Sequence, residues 1–265
     1  MKSEHTFVIC AYQESPYLEE CIQSVLSQKE DSAVLIATAT PNDHIQALAD
    51  RYGLEVRINR GAHGIAQDWE FALRQADTPY VTLAHQDDIY EPDYTQSVLS
   101  ALKQADHPII AFTDYFEMRG KSRVYAEDSG LLKTKQRLLS PLKTAWGQKS
   151  VWLRRRSLSL GNAICCPSVT YVMERMPDLV FQPHFKSNVD WQTWEALSKQ
   201  RGMFVYVPQA LMGHRVHEGS TTTQVIGDGG GRTGEDYEMF CKFWPASVAK
   251  LLVKVYARSQ KSNQT

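Results

Sequence analysis

The sequence predicts an α/β fold, a mixed, mostly parallel sheet flanked by helices, built as a single domain with a C-terminal helical extension. Three observations carry this. Short runs of β-branched and aromatic residues alternate with amphipathic segments through the first half of the chain. The length of 265 residues is near the upper limit that one hydrophobic core organises. The composition, 43% hydrophobic and 22% charged, is that of an ordinary globular protein and argues against a disordered or fibrous one.

Each element follows in order. His5 to Ala11 reads as a strand, and Ser15 opens a helix with apolar Leu18, Cys21, Ile22, Val25 and Leu26. Ala33 to Thr38 predicts a strand, Asp43 to Tyr52 a helix, Leu54 to Asn59 a strand and Ala66 to Ala76 a helix. Pro79 to Leu83 is a further strand, Pro92 suits the first turn of a helix reaching Gln104, and His107 to Phe116 returns as a strand. The second half is less regular: strands are expected at Asn162 to Cys165, Met203 to Val207 and Ala210 to His214, and a helix at Asp190 to Gln200. Gly227 to Gly234 reads as a glycine-rich loop.

No apolar run reaches the length of a membrane span or signal peptide, which predicts a cytoplasmic protein. The five cysteines are odd in number and lack zinc-ligand spacing, so free, mostly buried thiols are expected. Net charge is −1, yet between Ser129 and Met173 there are eight Lys and Arg and no Asp or Glu. Such a block suits a phosphate-bearing partner, and it equally suits a solvated basic face.

In parallel α/β sheets ligands bind beyond the carboxyl ends of the strands, so polar residues just after strands are the candidates. Asp87 and Asp88 follow the strand ending at Leu83. Adjacent carboxylates repel, and a hard divalent ion with oxygen ligands, Mg²⁺ or Mn²⁺, relieves the repulsion. The same pair would also serve to cap the next helix. His214, Arg215 and His217 follow a later strand and offer imidazole for a metal and guanidinium for phosphate oxygens. Asp190 opens a helix, as an N-cap or as a general base. Together these supply what sugar transfer from a nucleotide requires: charge neutralisation at the leaving diphosphate and a base for the attacking hydroxyl.

Read together, the segments from His5 to about Trp244 resemble the family 2 glycosyltransferases. Phe7-Val-Ile-Cys-Ala-Tyr12 with Glu14, Ser15 and the helix after it is similar to the family's opening strand and helix. His85-Gln86-Asp87-Asp88 is similar to its Asp-x-Asp-type element. Asp190-Trp191-Gln192-Thr193-Trp194 resembles the segment with the catalytic base, and His214 to Ser220 the element closing over diphosphate and metal. The resemblance implies a GT-A fold with a Rossmann-like sheet over residues 1–244, divided into a nucleotide-binding half (1–116) and an acceptor and catalytic half (117–244). A basic amphipathic helix, 245–265, follows. It also implies site roles: Asp190 catalytic; Ala11, Tyr12, Glu14, Thr38, Asp87 and Arg215 at the nucleotide sugar; Asp88 and His217 on Mn²⁺ or Mg²⁺.

Two departures from the family pattern bear on this. Ala37-Thr38-Ala39-Thr40-Pro41-Asn42-Asp43 lacks the Asp that usually helps hold the nucleoside, leaving Thr38 or main-chain groups for that task. Val189 stands where an acidic residue normally precedes the base. The resemblance implies an inverting transferase using a UDP-, dTDP- or GDP-linked sugar and a glycan or lipid-linked acceptor, in bacterial cell-surface polysaccharide synthesis. Lys250, Lys254, Arg258 and Lys261 fall on one side of the last helix, opposite Val248, Leu251, Leu252 and Val255. That pattern fits peripheral contact with the inner face of a membrane and also fits packing on the domain itself. Nucleic acid is not an expected partner, because few aromatics accompany the basic block. A sugar nucleotidyltransferase would need a glycine-rich basic loop where Tyr12-Gln13-Glu14-Ser15-Pro16 stands. A degenerate, non-catalytic chain would have no reason to keep Asp87, Asp88, Asp190 and His217 together.

Overall fold

The computed structural model of the chain describes residues 3–217 and 231–261; Glu218 to Ser220, Gly227 to Gly230 and the side chains of Arg258 and Lys261 lie outside the described residues. Strands β1 (His5–Ala11), β2 (Ala33–Thr38), β3 (Glu55–Ile58) and β4 (Tyr80–His85) are parallel in the order β3-β2-β1-β4. Helices α1 (Leu18–Leu26), α2 (Asp43–Tyr52) and α3 (Ile65–Leu73) make the crossovers. The chain steps outward from β1 to β3 and returns to β4, so the order reverses beside β1. The carboxyl ends of β1 and β4 therefore form the crevice of the sheet.

Side chains alternate across β1 and build a core on each face. Val8 joins Val81, Leu83 and Phe112 under α3, whereas Phe7 and Ile9 meet Leu18, Ile22 and Val25 of α1 and Val98 and Leu102 of α4 (Tyr94–Gln104). β6 (Pro108–Arg119) and β9 (Met203–Val216) extend the sheet parallel to each other, with antiparallel β8 (Val169–Val172) between β4 and β6. Two-residue β5 (Ile89–Tyr90) pairs with β9, and β7 (Ser122–Val124) with β6. This is the mixed sheet flanked by helices that the sequence predicts.

Four expectations need correction. Gly231 to Gly234, read as part of a glycine-rich loop, instead open a helix over Gly231–Cys241. Asn162 to Cys165 is not a strand: Cys166 to Ser168 form a 3₁₀ turn and β8 begins only at Val169. Pro167 has no N–H to give an interior strand, which delays the pairing. The two strands expected around Pro208 are one, because the ladder between β6 and β9 shifts register between Thr113 and Tyr115 and so absorbs the proline as a bulge. The basic block is largely helical, as α5 (Gly130–Leu139), α6 (Ala145–Lys149) and α7 (Val151–Leu158). Each helix has a hydroxyl N-cap, Ser129, Thr144 and Ser150 respectively.

That block is not one solvated face. Arg154 is fully buried, donates to the carbonyls of Gly202 (2.5 Å) and Gln200 (2.6 Å), and lies over the Phe204 ring. Burial without a carboxylate partner brings its pKa down to about 10. Arg155 pairs with Glu195 of α8 (Val189–Leu197) at 2.5 Å. After α9 (Gly231–Cys241), helix α10 (Ala246–Lys261) packs on the domain through Ala249 and Val253, with Leu252 and Tyr256 beside them.

Candidate active site

The acidic turn after β4 sits in the crevice and is fixed from three sides. The Gln86 side chain clamps the first strand end: its Nε2 donates to the Tyr12 carbonyl (2.8 Å) and its Oε1 accepts from the Tyr12 N–H (3.0 Å). Asp87 accepts from the Ser15 hydroxyl through Oδ1 (3.1 Å) and pairs with His217 Nε2 through Oδ2 (3.0 Å). Asp88, 1% exposed, takes the His214 imidazole (3.1 Å) and the Arg215 N–H (2.9 Å) on Oδ1 alone. Two successive carboxylates thus each hold an imidazole from the end of β9.

Burial pushes the Asp88 carboxyl up, but the charge and hydrogen bond of His214, with His85 and the Arg215 N–H, overcome this and hold it below the ordinary range. His214 moves the other way: burial lowers it, and Asp88 more than restores it. Both shifts describe an ion pair. Asp88 Oδ2 is buried and has no hydrogen-bond partner among the described residues. A buried anionic oxygen left in that state is costly, and a hard cation is the ligand such an oxygen suits. Among the described residues no group of three or more His, Cys, Asp or Glu converges as a metal cage. Asp88 and His217, expected on one metal, are not brought together directly, since His217 is on Asp87.

Arg215, expected at the phosphate, is 6% exposed and engaged inside the protein. Its Nε donates to the Asp87 carbonyl (2.8 Å), its Nη2 to Glu20 of α1 (2.6 Å), and its guanidinium lies over the Tyr17 ring (4.4 Å). It ties β9 to the acidic turn and to α1. Ala11 is buried at the end of β1, and Tyr12 and Glu14 are exposed just beyond it. Thr38 is buried, and its hydroxyl accepts the Thr40 N–H (3.0 Å); the Thr40 hydroxyl in turn accepts from Gln13 N–H. The Thr38 hydroxyl thus accepts within its own turn.

Asp190 lies in the first turn of α8, two residues after the N-cap Asn188. Its Oδ2 accepts from Asn162 Nδ2 (2.6 Å) and its Oδ1 from the Trp191 N–H (2.7 Å). Burial raises its pKa, against the pull of those two donors and of the Arg232 and Lys135 cations. The start of α8 is itself held by Glu235 of α9, whose carboxylate accepts from the N–H groups of Lys186, Ser187 and Asn188 and from the Ser187 hydroxyl. Burial raises the Cys165 thiol; the Lys135 charge lowers it, and the charges of Asp88 and Asp190 raise it.

Sequence reasoning passed over several residues here. Lys135 of α5 donates to the Tyr115 hydroxyl (2.7 Å), and its basic run was the only signal for it. Asn162 and Glu235 carry no local signal, because their roles exist only once α8 and α9 are packed. Trp69 stacks on His85 at 5.0 Å and supports the strand end under the acidic turn.

Comparisons with known proteins bear on the family and the fold. The sequence model of Glycosyl transferase family 2 matches residues 6–160. An uncharacterized glycosyltransferase of Haemophilus influenzae is 22% identical, with 82% of this chain and 66% of the relative aligned, so the chain spans just under two thirds of that relative. Among solved structures, the mannosyltransferase PcManGT from Pyrobaculum calidifontis, in complex with GDP-Man and Mn²⁺, superposes with a TM-score of 0.63 at 13% identity. That superposition covers 97% of this chain and 70% of the other. TarS 1-349 of S. aureus, in complex with UDP-GlcNAc, gives 0.61 at 12% identity over 94% and 70%. The glucosyl-3-phosphoglycerate synthase of Mycobacterium tuberculosis, with Mn²⁺ and UDP-Glc, gives 0.53 at 14% over 85% and 74%. The fold is therefore the GT-A fold.

Proposed function

Because the chain belongs to glycosyl transferase family 2, we propose that it moves a sugar from a nucleotide-diphosphate donor to an acceptor hydroxyl with inversion, using Asp190 as the base. The observation that carries this reading is the buried Asp88 Oδ2, which has no hydrogen-bond partner among the described residues and lies in the acidic turn at the carboxyl end of β4. A base works best when its pKa approaches the working pH, and burial moves Asp190 in that direction.

In this reading the acceptor hydroxyl gives its proton to Asp190 as its oxygen bonds to the anomeric carbon. The bond from that carbon to the diphosphate breaks on the opposite face, and the electron pair leaves with the diphosphate. Asn162 and the Trp191 N–H fix the Asp190 oxygens for that transfer. Tyr12 and Glu14 are exposed where the donor's nucleoside would lie, and Arg215 keeps the Asp87 carbonyl and β9 in place beneath it. Asp88, through its unpartnered Oδ2, would hold Mn²⁺ or Mg²⁺, which would supply charge neutralisation for the departing diphosphate.

The solved relatives carry uridine and guanosine donors, so the base is open to direct test. The reading places the work at the cytoplasmic face of a bacterial membrane, in surface polysaccharide synthesis, on a glycan or lipid-linked acceptor. Calorimetric titration with UDP, dTDP and GDP, each with Mn²⁺ and with EDTA, tests the donor site. Binding of one nucleotide that EDTA abolishes supports it; no binding to any overturns it.

A further inference from the structure

The outer surface of α7 and α10 carries an apolar strip between cations. α10 packs on the domain through Ala249, Leu252, Val253 and Tyr256, and the Tyr256 ring lies 2.8 Å from where a side chain on Gly161, just past α7, would begin. The face it turns outward is also apolar: Val248, Leu251 and Val255 are 37%, 63% and 57% exposed. At spacings of three and four residues they form one stripe along the helix. α7 carries an exposed aromatic of its own. The Arg156 guanidinium lies between the rings of Trp244 (4.4 Å), just ahead of α10, and Trp152 (5.7 Å), which is 65% exposed.

We infer that this surface docks the protein on an anionic lipid bilayer, with Trp152 and the α10 stripe entering the interface and Arg156, Lys250 and Lys254 facing the lipid phosphates. Charge decides between occupants. Neither 129–173 nor 242–261 contains an Asp or Glu, although the whole chain has net charge −1. Among the described residues Arg156, Lys250 and Lys254 have no carboxylate within ion-pair distance. A second copy of this chain seated on the strip would set cation against cation, whereas an anionic bilayer complements both the cations and the apolar stripe. Tryptophan suits such a boundary, with a ring that is apolar on its faces and polar at one edge. No helix among the described residues is long and apolar enough to cross a membrane, so docking would be at the surface.

The test is co-sedimentation of the full chain, without donor or acceptor, with vesicles of phosphatidylcholine alone and of phosphatidylcholine mixed with phosphatidylglycerol. Its outcome is independent of the transferase reading. Binding only to the anionic vesicles, weakened by salt, is expected. Trp152→Ala and Leu251→Ala each remove an exposed apolar side chain and lower partitioning by about tenfold if it is buried in the interface. Lys250→Glu/Lys254→Glu abolishes binding. All four positions are exposed, so circular dichroism and melting temperature stay unchanged. No binding to anionic vesicles at low salt, or equal binding to both compositions, overturns the proposal. So does a concentration-dependent dimer in sedimentation velocity that Leu251→Ala converts to monomer.

Discussion

Asn162 Nδ2 donates to Asp190 Oδ2 across 2.6 Å, and the Asn162 Oδ1 is buried without a partner among the described residues. The second fact makes Asp190→Asn a clean test. If the Asn162 amide flips, it accepts from the new amide, and the variant folds without a donor facing a donor. Transfer should fall by about 100- to 10,000-fold, the usual contribution of a general base. Stability should move the other way. The folded pKa of Asp190 lies above its unfolded value, so ionising it costs stability as pH rises from the ordinary carboxylate value through the folded one. At neutral pH the variant should melt higher than wild type, and the difference should vanish in acid. Unchanged turnover would remove Asp190 from the mechanism.

Asp88 predicts a less tidy result. Its Oδ1 satisfies both His214 and the Arg215 N–H, so Asp88→Ala leaves the half-buried imidazole and the buried Arg215 N–H without an acceptor and costs about 1–3 kcal/mol for the buried donor. Loss of activity in that variant would be confounded by loss of stability. Asp88→Asn keeps an acceptor oxygen and removes the charge. It should melt closer to wild type, while Mn²⁺-dependent nucleotide binding, measured by calorimetry, falls to undetectable. Retained binding in Asp88→Asn would exclude Asp88 from the donor site.

What could be read from the sequence follows from how local each signal is. The strand ends at Ala11 and His85 and the helix Asp43–Tyr52 are written in contiguous residues, so the crevice and its acidic turn were legible. Asp190 and the His214 to His217 segment were identified by type and order. Their pairings were not, because whether His217 meets Asp87 or Asp88 depends on the register at which β9 ends. The basic block misled for the same reason: a buried Arg154 and a solvated Lys133 look identical until α7 is packed. Weighing the missing N–H of Pro167 would have moved β8, whereas Pro208 reads locally as a break, and the register shift that carries β9 through it is set by its partner β6.

Glu235 gives a prediction with the opposite pH sign. Burial pushes its carboxyl up, but the Ser187 hydroxyl and the three N–H groups at the start of α8 hold it below the ordinary range. A depressed folded pKa contributes stability that is present above the unfolded value and lost as pH falls through the folded one. Glu235→Gln should therefore melt below wild type at neutral pH, and the gap should close in acid. Since α8 carries Asp190, kcat should fall severalfold with donor KM nearly unchanged. A fall in donor affinity instead would place Glu235 at the nucleotide.

Lys135 links the basic block to the chemistry. Its amine donates to the Tyr115 hydroxyl at 2.7 Å, and its charge is among the influences that hold the Asp190 pKa down against burial. Lys135→Met keeps the length of the side chain and removes the charge. Asp190 should then titrate higher, and the acid limb of the kcat profile, which reports ionisation of the base in the bound complex, should move to higher pH. Activity on the alkaline plateau should fall less than activity near neutrality, so the loss grows as pH is lowered. A uniform loss at every pH would mean that Lys135 binds substrate and does not tune the base. An unchanged profile would mean that its charge does not reach Asp190 once substrate fills the cleft.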